Sequence, residues 1–177
     1  GILIVEYISG IIFSKIENKY PNGKRLVELY TTDSTTIKES IQSHPYLLHT
    51  SVPEYEEFGF KQINKFGYRN EEFDLEKPDS LYRIVVLGGS TTYSFPYVKN
   101  PKDTWCGQLE KILEENQDRE FQVVNAGLPW ATSAELLAGY TFRHQYLNPD
   151  MVIIHTGGND NGPMFYEYSA PASYVPN

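Results

Sequence analysis

LYRIVVLGGSTTYSF, residues 81–95, is the stretch whose reading decides the fold. Its segment RIVVL, residues 83–87, is short, mostly apolar and rich in β-branched side chains. That composition suits a strand covered on both faces in a parallel sheet. The run stops at Gly88-Gly89 and then presents Ser90-Thr91-Thr92. Glycine lets the backbone turn sharply at a strand's carboxyl end, and in open α/β sheets ligands bind in the crevice found there. Ser90 is therefore a candidate nucleophile. A serine after a Gly-Gly turn is equally a candidate helix N-cap.

Three glycine motifs fail on this stretch. A dinucleotide fingerprint needs a third glycine and another spacing, and a phosphate loop needs Gly-Lys-Ser/Thr. The nucleophile elbow Gly-x-Ser-x-Gly fits at Gly88 and Ser90 but meets Thr92 at its last glycine.

Downstream, the pattern repeats. Residues 93–102 read as a loop, and Asp103 or Thr104 then caps a helix that ends at Gln117-Asp118. Its apolar face is Trp105, Leu109, Ile112 and Leu113, spaced i, i+4, i+7 and i+8. FQVV, residues 121–124, is a second buried-type strand closing in Asn125-Ala126-Gly127. After a loop at 128–131, a helix capped by Thr132 or Ser133 runs through Glu135, Leu136, Leu137 and Tyr140 to about Tyr146, where Asn148-Pro149-Asp150 breaks it. MVII, residues 151–154, is the third strand, followed by His155-Thr156-Gly157-Gly158-Asn159-Asp160. Alternating strands and helices with short turns predict right-handed βαβ crossovers and a parallel sheet. The three strands then end along one edge, where Ser90, Gly127 and Asn159 converge.

Composition narrows the partners. The 177 residues hold 15 Lys and Arg against 23 Asp and Glu, a net charge of −8 with no basic cluster, which argues against nucleic acid. Cys106 stands alone, so the chain forms no internal disulfide; no Cys/His spacing resembles a zinc site, and Cys106 reads as a small core residue.

The region ahead of the Ser90 strand divides in two. Residues 1–19 open with GILIVEYISGIIF, apolar apart from Glu6 and Ser9 and followed by Lys15 and Lys19. Thirteen such residues are fewer than the roughly 20 that span a bilayer. They read either as the tail of a membrane anchor completed upstream or as a helix docked on the domain. Residues 20–80 read as an irregular lead-in that covers the sheet. Pro21-Asn22-Gly23 is a turn, residues 31–43 hold helix-compatible patches, and His44 and Val52 are extended ahead of proline. GFKQINKFGYRNEEF, residues 59–73, suggests a hairpin with Gly67 at its turn. Residues 81–177 form the main domain.

Acyl transfer by serine needs a base and donors aimed at the oxyanion that develops on the substrate. Ser90 N–H, Gly127 N–H and the Asn159 side-chain amide are three such donors on three strand ends. Gly127 suits the task because a missing side chain lets substrate approach the backbone.

GGSTT, NAG and GGND, in that order on successive strands, resemble the first three sequence blocks of the SGNH (GDSL-type) hydrolases. The resemblance implies an α/β fold, a flavodoxin-like three-layer α/β/α sandwich with a parallel sheet. It implies a serine esterase or lipase, with carbohydrate acetylesterases and some O-acetyltransferases in the same family. It implies Ser90 as nucleophile and first oxyanion donor, Gly127 as second and Asn159 as third. It implies no metal and no organic cofactor. INKFGYRN and LNPDMVIIHTGGND are similar to a subgroup often carried behind an N-terminal membrane helix; the likeness spans residues 60–162.

Two departures stand out. Gly-Gly-Ser-Thr replaces Gly-Asp-Ser, and the family's closing Asp-x-x-His block is absent. The expectation is a chain incomplete at its C-terminus, with the catalytic base outside this sequence. Of the histidines present, His155 reads as a hydrogen-bonded strand-end residue before it reads as a base. His144 sits late in a helix, where a positive charge suits the dipole. His44 and His49 carry no argument for catalysis. Thr91, Trp130 and Asp160 are the candidate substrate-contacting neighbours. Trp130 reads as a wall of an acyl or sugar pocket or as a core residue, and Asp160 as orienting the Asn159 turn.

The sequence thus points to hydrolysis of a small acyl ester, an acylated carbohydrate among the candidates. Carbohydrate O-acetyltransfer is the nearest rival. A flavodoxin-like module holding an anion or nucleotide at its glycine turns is a third reading, disfavoured by the lack of Lys or Arg beside those turns.

Overall fold

The computed structural model describes residues 39–94 and 97–161. The chain divides into two units, Gly1–Thr36 and Ile37–Asn177. The first unit lies outside the described residues, and with it the expected anchor or docking helix and the turn at Pro21-Asn22-Gly23. Among the described residues no helix is long and apolar enough to cross a membrane.

Two small antiparallel hairpins come first, β1 (Ile41–His44) with β2 (Leu48–Ser51), and β3 (Glu56–Glu57) with β4 (Phe60–Lys61). The second hairpin turns at Phe58-Gly59, both at positive φ (55° and 78°) as a tight two-residue turn demands. The turn is therefore at Gly59 and not at the expected Gly67. Gly67, also at positive φ, closes a loop built on Asn64. Asn64 Oδ1 accepts from the N–H groups of Phe66 and Tyr68, each at 3.0 Å, and Asn64 Nδ2 donates to Glu71 O at 3.1 Å.

The main layer follows as β5 (Tyr82–Gly88), α1 (Ser90–Tyr93), α2 (Trp105–Asn116), β6 (Phe121–Gly127), α3 (Ser133–Phe142) and β7 (Met151–His155). The strands lie in the order β6-β5-β7, all parallel. In chain order that is second, first, third, the opening of the flavodoxin-like order. Successive side chains of β5 alternate between the faces. Ile84 and Val86 pack with Cys106 and Val123 under α2, with Leu109 and Leu113 against them. Val85 and Leu87 pack with Val124, Ala126 and Leu136 under α3, joined by Tyr68 of the lead-in. The α/β layering expected from the alternating pattern is present.

Three local readings are corrected. First, residues 93–102 are not all loop. Ser90–Tyr93 is a single helical turn ended by Ser94 in the left-handed region, and Pro101–Asp103 is a short 3-10 turn. Second, α2 is capped by Thr104, whose hydroxyl accepts from Gly107 N–H, but its inward face is Cys106, Leu109 and Leu113. Trp105 and Ile112 are exposed, at 36% and 55%. The rotation brings Glu110 in, where its carboxylate accepts the N–H of Val123 at 2.6 Å. Third, α3, opened by a capping box between Thr132 and Glu135, ends at Phe142 and not near Tyr146. Arg143 leaves helical geometry and His144–Leu147 continues as a 3-10 turn, which delivers His144 to the buried Tyr68 hydroxyl at 3.0 Å.

The lead-in is tied to this layer through polar side chains. Asn70 lies along β6, its Oδ1 accepting from Asn125 N–H at 2.7 Å and its Nδ2 donating to Val123 O at 2.8 Å. That covers an edge which would otherwise offer unpaired backbone groups. Arg69 is buried, donates to Gln62 Oε1 at 2.6 Å and to Val98 O, and rests 5.5 Å from the Tyr93 ring. The residues before β5 therefore grip the helical turn that carries Ser90 as well as the sheet.

Candidate active site

Register places the three strand ends together: Gly88 lies opposite Gly127 on β6 and opposite His155 on β7. Gly89 occupies the N-cap position of α1 and Ser90 is its first helical residue, so Ser90 is not the helix cap. Thr92 and Tyr93 N–H donate to Gly89 O at 3.1 and 3.0 Å, and Ser94 N–H to Ser90 O at 2.7 Å. Among the described residues the Ser90 N–H and hydroxyl have no hydrogen-bond partner, and Ser90 is half-buried.

Ser90 opens onto a cavity of about 220 Å³. Gly89, Ser90 and Thr91 line it from the end of β5, and residues 155–159 line it from the end of β7. It sits between the first and third strands, where the connections diverge and where ligands of flavodoxin-like sheets bind. Asn159 reaches across this cleft. Its Nδ2 donates to Ala131 O at 2.8 Å and stands 2.9 Å from the place a Cβ on Gly89 would take. Ser90 and Asn159 are thus brought together, with a glycine between them that leaves the amide room. Exposed Thr91 shares the same cavity wall.

Gly127 is placed differently. Its N–H donates to Asn125 Oδ1 at 3.0 Å, and it does not line the Ser90 cavity. The space its missing side chain leaves is filled by the Tyr93 backbone nitrogen and, at 2.9 Å, by the Thr92 carbonyl carbon. Gly127 has no room for a side chain because α1 settles onto it. The same holds at Gly88: a Cβ there would meet the Thr92 side chain and His155 O.

The flanking residues divide. Asp160 accepts from Ser133 N–H at 3.0 Å and from the Ser133 hydroxyl, and these bonds hold its carboxyl below the usual range. It joins the Asn159 turn to the start of α3. Trp130, at φ 60° and half exposed, belongs neither to the core nor to the cavity wall.

Among the histidines, His155 lines the cavity, with Nδ1 3.2 Å from Thr92 Oγ1 and its ring edge-on to Trp105. His49 Nε2 lies 2.8 Å from Pro129 O, and His44 Nδ1 accepts the Leu47 N–H at 3.1 Å. His144 departs from the expected helix-dipole partner. Burial, with Arg143 beside it, pulls its pKa down to about 3, so the ring is neutral near pH 7. Burial pushes the Cys106 thiol up to about 12, fitting an unreactive core residue. Among the described residues no group of three or more His, Cys, Asp or Glu is placed to hold a metal ion.

Sequence reasoning passed over Asn125 and Asn70. Both are polar residues whose meaning depends on a backbone partner far along the chain; the available signal was an asparagine inside an otherwise buried strand end.

Comparison with known proteins adds to this geometry. Similar solved structures include AlinE4, an SGNH-hydrolase family esterase, at 22% identity and TM-score 0.42, covering 51% of this chain and 47% of that one. A mutant of the same esterase matches at 22% identity and TM-score 0.42, covering 49% and 46%. The chain thus spans about half the length of the solved structures it matches. No curated protein matches it. A model of the GDSL-like Lipase/Acylhydrolase family matches residues 86–175, just over half of the 177 residues and all three glycine turns. With that match added to the parallel sheet and its strand-end blocks, the chain belongs to the GDSL-like (SGNH) lipase/acylhydrolase family.

Proposed function

We propose that the protein is a serine esterase that cleaves a small acyl ester, with Ser90 as nucleophile. The observation that carries the reading is the meeting of Ser90 and the Asn159 amide in one cleft between the first and third strands, with Gly89 leaving the amide room. In the proposed reaction Ser90 Oγ bonds to the substrate carbonyl carbon as its proton passes to a histidine, and the carbonyl oxygen takes up the negative charge. The leaving alcohol departs with that proton, and water then releases the acid and frees Ser90.

Ser90 N–H and the second N–H of Asn159 Nδ2 are the oxyanion donors of this reading, since the first is unpartnered among the described residues and the second has one proton left after Ala131 O. Gly127 N–H, named by the resemblance as a further donor, stays on Asn125 Oδ1, and Gly127 acts by seating α1. The proton acceptor is assigned to the family's Asp-x-x-His block, a pattern this sequence does not contain. His155 is left to hold Thr92.

The substrate class of this reading is a small acyl ester, acetate esters of carbohydrates included. The test is hydrolysis of an aryl acetate by the full-length protein and its Ser90→Ala variant. The variant is expected to lose at least about a thousandfold in kcat with its fold intact. Unchanged turnover removes Ser90 from the reaction.

A further inference from the structure

We propose that Asn125 is a positioning residue, which locks the helical turn bearing Ser90 onto the end of β6 through a pair of hydrogen bonds. The proposal rests on the esterase reading above. Asn125 is almost fully buried, at 1% exposure. Its Nδ2 donates to Thr92 O at 2.8 Å and its Oδ1 accepts from Gly127 N–H at 3.0 Å.

The first bond has a specific task. The last carbonyls of a helix have no partner within it, and α1 has only the four residues Ser90–Tyr93. Thr92 O, two residues from Ser90, belongs to that set; the Ser94 hydroxyl reaches it at 3.3 Å, and Asn125 supplies the closer donor at 2.8 Å. The second bond fixes the Asn125 side chain by its other end to the backbone on which α1 rests, since Tyr93 N and Thr92 C fill the space beside Gly127. The Asn125 backbone is fixed in turn, its N–H by Asn70 Oδ1 at 2.7 Å and its carbonyl by Arg69 N–H at 3.2 Å. One amide side chain therefore ties the turn bearing Ser90 to the end of the second strand. Displacing a nucleophile by an ångström removes much of the advantage of holding it in place.

The test is steady-state hydrolysis of an aryl acetate by the full-length protein carrying Asn125→Asp or Asn125→Ala, with circular dichroism to verify folding. Asn125→Asp keeps an acceptor for Gly127 N–H but sets an oxygen against Thr92 O; Asn125→Ala removes both bonds. Either folded variant is expected to lose about tenfold or more in kcat while KM stays within about twofold, because the nucleophile moves and the cleft does not. Folded variants with unchanged kcat overturn the proposal, as does a rise in KM alone. If neither variant folds, the unaltered protein decides by NMR. Phosphonylation of Ser90 should then shift the Asn125 side-chain amide and Gly127 N–H signals, and unmoved signals overturn the proposal. Ser90→Ala run alongside separates the failures. Activity surviving in that variant removes the esterase reading and this proposal with it, whereas activity lost there but intact in the Asn125 variants removes the positioning role alone.

Discussion

Gly127 and Tyr93 approach so closely that any side chain on the first would overlap the backbone nitrogen of the second. Two strand-end glycines, Gly88 and Gly127, thus form the seat of the turn that carries Ser90. Adding one methyl at either position forces that turn to lift or the strand end to bend. Gly127→Ala and Gly88→Ala are each expected to destabilise the protein by about 1–3 kcal/mol, the usual range for overpacking a filled site. Thermal or urea melts read the effect directly. A Gly127→Ala protein as stable as its parent would mean that the contact with Tyr93 is not there.

Asn159 should matter for rate more than for stability. Its Nδ2 bond to Ala131 O is partly exposed, so losing it costs about 1 kcal/mol. As an oxyanion donor, however, its removal is expected to lower kcat by about a hundredfold to a thousandfold. Kinetics of Asn159→Ala beside a melt distinguish the two tasks, and a variant that loses stability but keeps its kcat would show the amide to be structural only.

His144 makes stability depend on pH in a predictable direction. Its folded pKa is about 3, against about 6.5 in an unfolded chain. Below that upper value the unfolded state takes up a proton that the native state refuses, so stability is full near neutrality and falls as the pH drops from about 6.5 toward 3. Between pH 7.5 and pH 5 the parent is expected to lose about 1–2 kcal/mol more than His144→Gln. Carboxylates held low by their partners, such as Asp150 and Asp160, act further down the scale. Equal losses in parent and variant would contradict the burial of His144 against Tyr68.

Much of this architecture was legible because apolar runs at both strand and helix spacing are local signals. RIVVL, FQVV and MVII each became a strand of the parallel sheet, and Thr104 and Thr132 each cap a helix. What escaped reading depends on partners distant in sequence. Arg83 opens a run that is otherwise apolar, yet it is fully buried because its guanidinium reaches the carbonyls of Asp74, Leu75 and Leu147. The face of α2 was misjudged because Glu110 turns inward to Val123 N–H, a bond no periodicity displays. For the site, glycine-rich strand ends announced a cleft correctly, and Ser90 and Asn159 do share one. Gly127 was legible as a place needing no side chain, but the reason, a neighbouring turn of backbone, exists only in three dimensions.

The central claim, that Ser90 is the nucleophile, is tested most directly by covalent labelling. Full-length protein treated with a fluorophosphonate and digested should give one phosphonylated peptide, with the adduct mapped by mass spectrometry to Ser90 and absent from Ser90→Ala. An esterase that hydrolyses aryl acetate while Ser90 stays unlabelled, or that carries its adduct on another serine, would contradict the account.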